Sequence, residues 1–170
     1  MREAVIVSTA RTPIGKAFRG AFNDTQAQEM AGHAIAEAVK RSKVSKEEID
    51  DVIVVAAGQQ GSQQGNIARQ SLLRAGLPVS VAGMSLDRQC ASGMMAIATA
   101  AKEITEDGMT ITVGGGVESV SLVRNENFRM DRARDPWLEE NIPSLYMTMI
   151  ETAENVAKRY GISRESQDEY

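Results

Sequence analysis

Four short apolar runs alternate with stretches of helical period along this chain, and that alternation restricts its possible folds more than any other property of the sequence. Residues 4–8 (AVIVS) and 52–57 (VIVVAA) are continuously apolar, the pattern of strands covered on both faces. A third run passes through Met84 and Leu86, and residues 109–113 (MTITV) form a fourth that leads into Gly114-Gly115-Gly116. Between the first two, Thr25 and Gln28 have capping-box spacing, and Ala27, Met30, Ala31, Ala34, Ile35, Ala38 and Val39 then recur at helical spacing to about Arg41. Ser45 and Glu48 make a second capping box for a one-turn helix. Asn66 is placed to cap a helix over 67–75, with Gly76 and Pro78 as its stop signals. An Ala- and Met-rich helix follows Cys90 to about Glu106 and ends at Asp107-Gly108. This order predicts right-handed crossovers and an open, mostly parallel α/β sheet with helices on both faces.

The only cysteine, Cys90, falls where the third strand turns into its helix. Unpaired N–H groups and the positive end of the helix dipole favour an anion there, so the thiolate should be stabilised. Ala91, Ser92 and Gly93 are small and leave the approach to the sulfur uncluttered. Read locally, such a residue is either a nucleophile or a packed turn cysteine. The carboxyl end of the third strand, where open α/β sheets place their chemistry, favours the nucleophile.

Other constellations carry less. Residues 9–24 hold Arg11, Lys16 and Arg19 with Pro13, Gly15 and Gly20, the composition of a positively charged surface connection. Residues 58–65 (GQQGSQQG) have neither the Walker lysine nor Rossmann spacing, so they punctuate the chain and bind no nucleotide. His33, the only histidine, lies in the first helix with nothing local to pair it with Cys90. One His and one Cys build no metal site. A net charge of −4 gives no reason to expect nucleic acid or an anionic membrane as partner, and no apolar run reaches the length of a membrane span. A single cysteine fits a reducing compartment, and the expected location is cytoplasmic.

From Glu118 the pattern changes. Residues 124–140 have no clean period, a helix is expected from Ser144 to Tyr160 with Gly161 as its stop, and Ser163 can cap one more. The expected organisation is an α/β domain over 1–118 and a second, truncated element over 119–170.

VIVSTARTPIGKAFRGAF at 5–22, GNIARQ at 65–70, DRQCASGMMAIATAA at 87–101, GGGVESVS at 114–121 and the closing ETAENVAKRYGISRESQDEY together resemble the N-terminal part of the thiolase family. The resemblance covers essentially the whole chain. It implies a thiolase-like N-terminal half lacking its last strand, the start of the family's loop domain over 119–170, and a C-terminal thiolase domain absent from this sequence. It implies an acyltransferase: thiolytic cleavage of a 3-ketoacyl-CoA to acetyl-CoA and a shortened acyl-CoA, or the reverse Claisen condensation, through an acyl-enzyme on Cys90. Coenzyme A is then a substrate and no cofactor is needed. Met149 is similar in position to a family methionine lining the pantetheine and acyl pocket, and Thr148 stands where biosynthetic members often carry histidine. The activating histidine and the second cysteine of the family belong to its C-terminal half, and His33 does not match the former, so this piece alone is expected to be inactive. The resemblance also implies a homodimer or tetramer through the N-terminal domain, with the strand at about 82–87 pairing at a sheet edge. The alternatives are a ketoacyl synthase-like condensing enzyme and a non-catalytic acyl-CoA-binding relative.

Overall fold

Alternate side chains of the apolar run at 52–56 fill two separate cores: Val52, Val54 and Ala56 join one buried cluster, Ile53 and Val55 the other. In the computed structural model, which describes residues 2–170, this run forms strand β1 (Asp51–Val55), the middle of a three-stranded sheet ordered β2-β1-β3. β2 (Ala82–Met84) and β3 (Thr112–Gly116) both run parallel to it, with Ile53 level with Met84 on one side and Gly114 on the other. Parallel neighbours require crossovers. Helix α2 (Ile67–Arg74) joins β1 to β2, and α3 (Ser92–Thr105) carries the chain back past β1 to β3. The two crossovers move in opposite directions along the sheet, so a common right hand puts their helices on opposite faces. α1 (Ala27–Ser42) packs on α2, where Ala27, Ala31, Ile35 and Val39 close the first core; Ala96 and Ala100 of α3 close the second. Fully buried Ile53, Ile67 and Leu72 each contribute about 1.5–3 kcal/mol by leaving water. The open parallel α/β architecture expected from the sequence is the one observed.

Several elements differ from the sequence reading. The apolar run at 4–8 is not a strand: Val5, Ile6 and Val7 are 71%, 76% and 68% exposed, and no ladder partner faces them among the described residues. A strand needs a neighbour to take its backbone hydrogen bonds, whatever its composition. This segment is held by its flanks instead, through Arg2 Nη1 to Gly108 O (2.8 Å), Ser8 Oγ to Ala38 O (2.7 Å) and Arg41 Nη1 to Thr9 O (2.9 Å). The fourth apolar run pairs three residues later than expected, with the glycines inside β3. A Cβ on Gly114 would stand 3.0 Å from Ala96 O and from Ile97 Cα, so the close seating of α3 on β3 requires glycine there. The Thr25/Gln28 box is not formed: the N-cap of α1 is Gln26, and the Gln28 amide reaches Ser62 O and Gln70 Oε1, both at 2.6 Å. The Ser45/Glu48 box is present, and Asn66 caps α2 through a 2.9 Å bond accepted from Arg69 N–H.

The larger compact unit ends at Phe128 and includes a short helix α4 (Val120–Val123); residues 129–170 form a second unit. There, a stretch with no legible period contains α5 (Pro136–Asn141), started by Asp135, whose Oδ1 accepts from Trp137 and Leu138 N–H, with Pro136 in the first turn. The long helix begins at Met149, not Ser144, because Thr148 and Glu151 close a capping box ahead of α6 (Met149–Tyr160). Both the N–H and the hydroxyl of Thr148 donate to the Glu151 carboxylate, which holds its pKa below the usual range. Gly161, at φ 63°, ends α6 as expected, and Ser163 caps α7 (Arg164–Glu169).

At the amino end of the sheet, Asp51 and Glu103 are buried, and Glu103 Oε2 has no donor among the described residues. Burial raises the pKa of both; for Glu103 the charges of Asp51 and Asp107 add to it. A folded-state pKa raised above the unfolded value favours the fold in the protonated form. That stabilisation is complete below the ordinary carboxyl range and is lost as pH rises through the raised values. Glu103→Gln should therefore raise the melting temperature at pH 7 by a few degrees, about 1 kcal/mol corresponding to roughly 2–4 °C in a chain of this size, and the two proteins should melt together below about pH 4. Thermal unfolding followed by circular dichroism across that range checks it.

Candidate active site

After β2 the chain reverses into α3 through a turn built around Asp87. Its Oδ1 accepts from Gln89 N–H at 2.7 Å and from Ser92 Oγ at 3.3 Å, while Ser92 Oγ accepts from Arg88 N–H at 2.8 Å. Ala91 N–H donates to Arg88 O at 3.1 Å, and Ser92 N–H to Gln89 O. The turn thus engages the N–H groups of residues 88, 89, 91 and 92 and leaves that of Cys90 outside its bonds. Gln89 sits at φ 47°, a left-handed conformation that a non-glycine side chain adopts at a cost of about 1–3 kcal/mol. A strained residue directly before the thiol is held there by Asp87 and Ser92.

Cys90 is exposed, in the single 3₁₀ turn Gln89–Ala91 that precedes α3. It is not the packed turn cysteine that local sequence also allowed. Ser92 is not a passive small residue: it is 5% exposed and its hydroxyl is committed to the turn. Gly93 does leave space, since a Cβ built on it meets nothing within 4 Å. Glycine in a helix costs about 0.8–1 kcal/mol relative to alanine, and no contact among the described residues demands it at 93.

The carboxyl ends of all three strands converge beside this turn. A shallow depression of about 250 Å³ is lined by Val55–Ala57 after β1, Gln89, Ser92 and Gly93 after β2, and Gly116–Glu118 after β3. Two of its supports were not legible as functional residues. Gln63, in the glycine- and glutamine-rich loop, is 0% exposed and does pack: its Nε2 donates to Gly58 O at 2.8 Å and to Glu118 Oε1 at 2.6 Å, and its Oε1 accepts from Ser119 N–H. Glu118 Oε2 accepts from Ala57 N–H at 2.8 Å, and Gly58 N–H reaches Oε1 at 3.3 Å. The available signal was the break of period at Glu118 itself, which marks where β3 gives way to a turn.

The remaining candidates lie elsewhere. His33 is exposed on α1, in the helical layer on the opposite face of the sheet from α3. Arg11, Lys16 and Arg19 are exposed on an irregular surface connection, as expected. Met149 opens α6 in the second unit and is 74% exposed. Among the described residues, no three His, Cys, Asp or Glu side chains cluster as metal ligands would, and no helix is long and apolar enough to cross a membrane.

Fold and turn together define an α/β protein with a solvent-facing cysteine at the carboxyl edge of a parallel sheet. The family model for the thiolase N-terminal domain matches residues 4–170, and the chain belongs to the thiolase family. It is 40% identical over 172 residues to a 3-ketoacyl-CoA thiolase of Bacillus subtilis, covering all of this chain and 43% of that relative. An acetyl-CoA acetyltransferase of Cupriavidus necator is 38% identical over 180 residues, and a beta-ketoadipyl-CoA thiolase of Pseudomonas putida 36% over 185; both matches cover this whole chain, and 45% and 46% of those relatives. The chain thus spans less than half the length of the curated relatives it matches.

The turn's dependence on Ser92 is open to measurement. Ser92→Ala removes the part-buried bond from Arg88 N–H, a loss of about 0.5–1.5 kcal/mol, so the melting temperature should fall by a few degrees in thermal unfolding with little change in far-ultraviolet circular dichroism.

Proposed function

We propose that this chain supplies the nucleophile-bearing half of a thiolase, with Cys90 as the acyl-accepting residue. The observation that carries the reading is the placement of the thiol: exposed, at the amino end of α3, with its own N–H outside the turn's bonds and an open depression beside it. In the degradative direction the Cys90 thiolate attacks the 3-keto carbon of a 3-ketoacyl-CoA, and the C2–C3 bond breaks. The departing acetyl-CoA enolate takes a proton, and the thiol of a second CoA displaces the acyl group from sulfur; run backwards, this is a Claisen condensation. The Cys90 N–H is one donor for the oxyanion formed when the carbonyl is attacked, a role worth on the order of a hundred- to a thousandfold in rate.

Coenzyme A is substrate on this reading and no separate cofactor takes part. The proton-transfer groups come from the part of a thiolase that this segment does not span. Met149 lines the acyl and pantetheine pocket, and β2, an edge strand, is the element through which two copies pair. A free, exposed cysteine suits the reducing cytoplasm and a role in fatty-acid or related acyl-CoA metabolism.

In the complete enzyme, brief treatment with acetyl-CoA followed by peptic digestion and mass spectrometry should find an acetyl group on the peptide containing Cys90. Acetyl found only on other peptides rejects the assignment. Gly93→Ala gives an independent check. It should leave thermal stability unchanged or slightly raised, because nothing among the described residues occupies that space, yet lower kcat/KM for acetoacetyl-CoA thiolysis by roughly tenfold to a hundredfold as the methyl intrudes beside Cys90.

A further inference from the structure

We propose that Glu118 is a positioning residue for the Cys90 site, acting with Gln63 as a bridge that sets the wall of the depression facing the nucleophile's turn. The inference rests on the thiolase reading above and assigns a role to a side chain on which that reading does not call. Open α/β sheets build their sites from loops leaving separate strands, and such loops hold position only if something ties them together. Here the loop after β1 and the turn after β3 meet through two side chains. Glu118 gathers the N–H groups of Ala57 and Gly58 and the amide of Gln63, and Gln63 returns a bond from the Ser119 N–H. Gln63 is fully buried, a long polar side chain whose nitrogen and oxygen both find partners, so the bridge is built into the core below the depression. Ala57, Val117 and Glu118 share the lining of that depression with Gln89, Ser92 and Gly93 of the nucleophile's turn.

The chemistry of the bridge allows a selective test. Every group that Glu118 meets there is a donor, so both of its oxygens must accept. A glutamine at 118 is isosteric but must aim an NH₂ at one of those donors. Gln63 is bound on both sides of that contact, its Nε2 donating to Gly58 O as well as to Glu118 and its Oε1 accepting from Ser119 N–H, so an apolar side chain of similar size at 63 removes the same bridge from its other end. A displacement of about 1 Å at a reacting centre typically costs on the order of a hundredfold in rate with little effect on groups that bind the substrate remotely.

The test uses the complete enzyme, with acetoacetyl-CoA and CoA as substrates, and follows kcat, KM, melting temperature and Cys90 acetylation. Glu118→Gln should lower kcat by roughly tenfold to a hundredfold with KM changed less than about twofold, at a temperature where the variant remains folded. Gln63→Leu should lower kcat in the same way, and Glu118→Gln with Gln63→Leu should lose several-fold less than the product of the two single losses, a coupling that two independent lesions would not produce. If Glu118→Gln fails to fold, Gln63→Leu carries the comparison against the wild type. A wild-type kcat in Glu118→Gln, a loss fully explained by its unfolded fraction, or single losses that simply multiply in the double variant each overturns the role. If the wild-type enzyme neither cleaves acetoacetyl-CoA nor takes an acetyl group on Cys90, the thiolase reading itself falls, and that result is distinct from any of these.

Discussion

β1 is paired on both edges and covered on both faces, and the rest of the larger unit is arranged around satisfying that strand. Its five residues are all buried, so its backbone groups have no access to water and must be taken up by neighbouring strands. Parallel partners meet that need only through crossovers, and a helix must then cover each face. The alternation of Val52 and Val54 against Ile53 and Val55 gives each helical layer an apolar surface of its own. Once β1 is fixed, the carboxyl ends of β2 and β3 are fixed with it, and the turn bearing Cys90 has one place to lie.

That turn trades local comfort for orientation. Gln89 holds a left-handed backbone that its side chain disfavours, and Asp87 and Ser92 keep it there. The result is an exposed thiol on a turn closed by its own hydrogen bonds. Other residues that line the depression are tied by Glu118 and Gln63, whose bonds join two different loops.

Much of the layered architecture could be read from periodicity, because the period of an apolar pattern reflects the faces that must be covered. β1, α2, the one-turn helix after Ser45 and the Gly161 stop follow from local chemistry that their neighbours do not contradict. The run at 4–8 misled because composition speaks to burial and not to the presence of a partner strand. The position of β3 was missed because three glycines look like an ending, whereas here they admit a helix against the sheet. α5 was hidden by its shortness: Asp135-Pro136 starts it, but six residues show no period. At the site, Cys90 was visible as the only thiol at a strand-to-helix turn. Gln63 and Glu118 were not, because their meaning lies in a contact between residues 55 positions apart in the chain.

The uncovered run at 4–8 also bears on how the protein is made. Val5, Ile6 and Val7 leave the ribosome before any of the three strands of the sheet, and in this fold none of those strands pairs with them. An apolar, β-prone stretch that waits in water is a site for chaperone capture and for edge-to-edge association with other nascent chains. Yield on expression will therefore depend on how soon that segment is covered, and basic or proline substitutions at Ile6 would act on recovery of soluble protein far more than on the stability of the folded sheet.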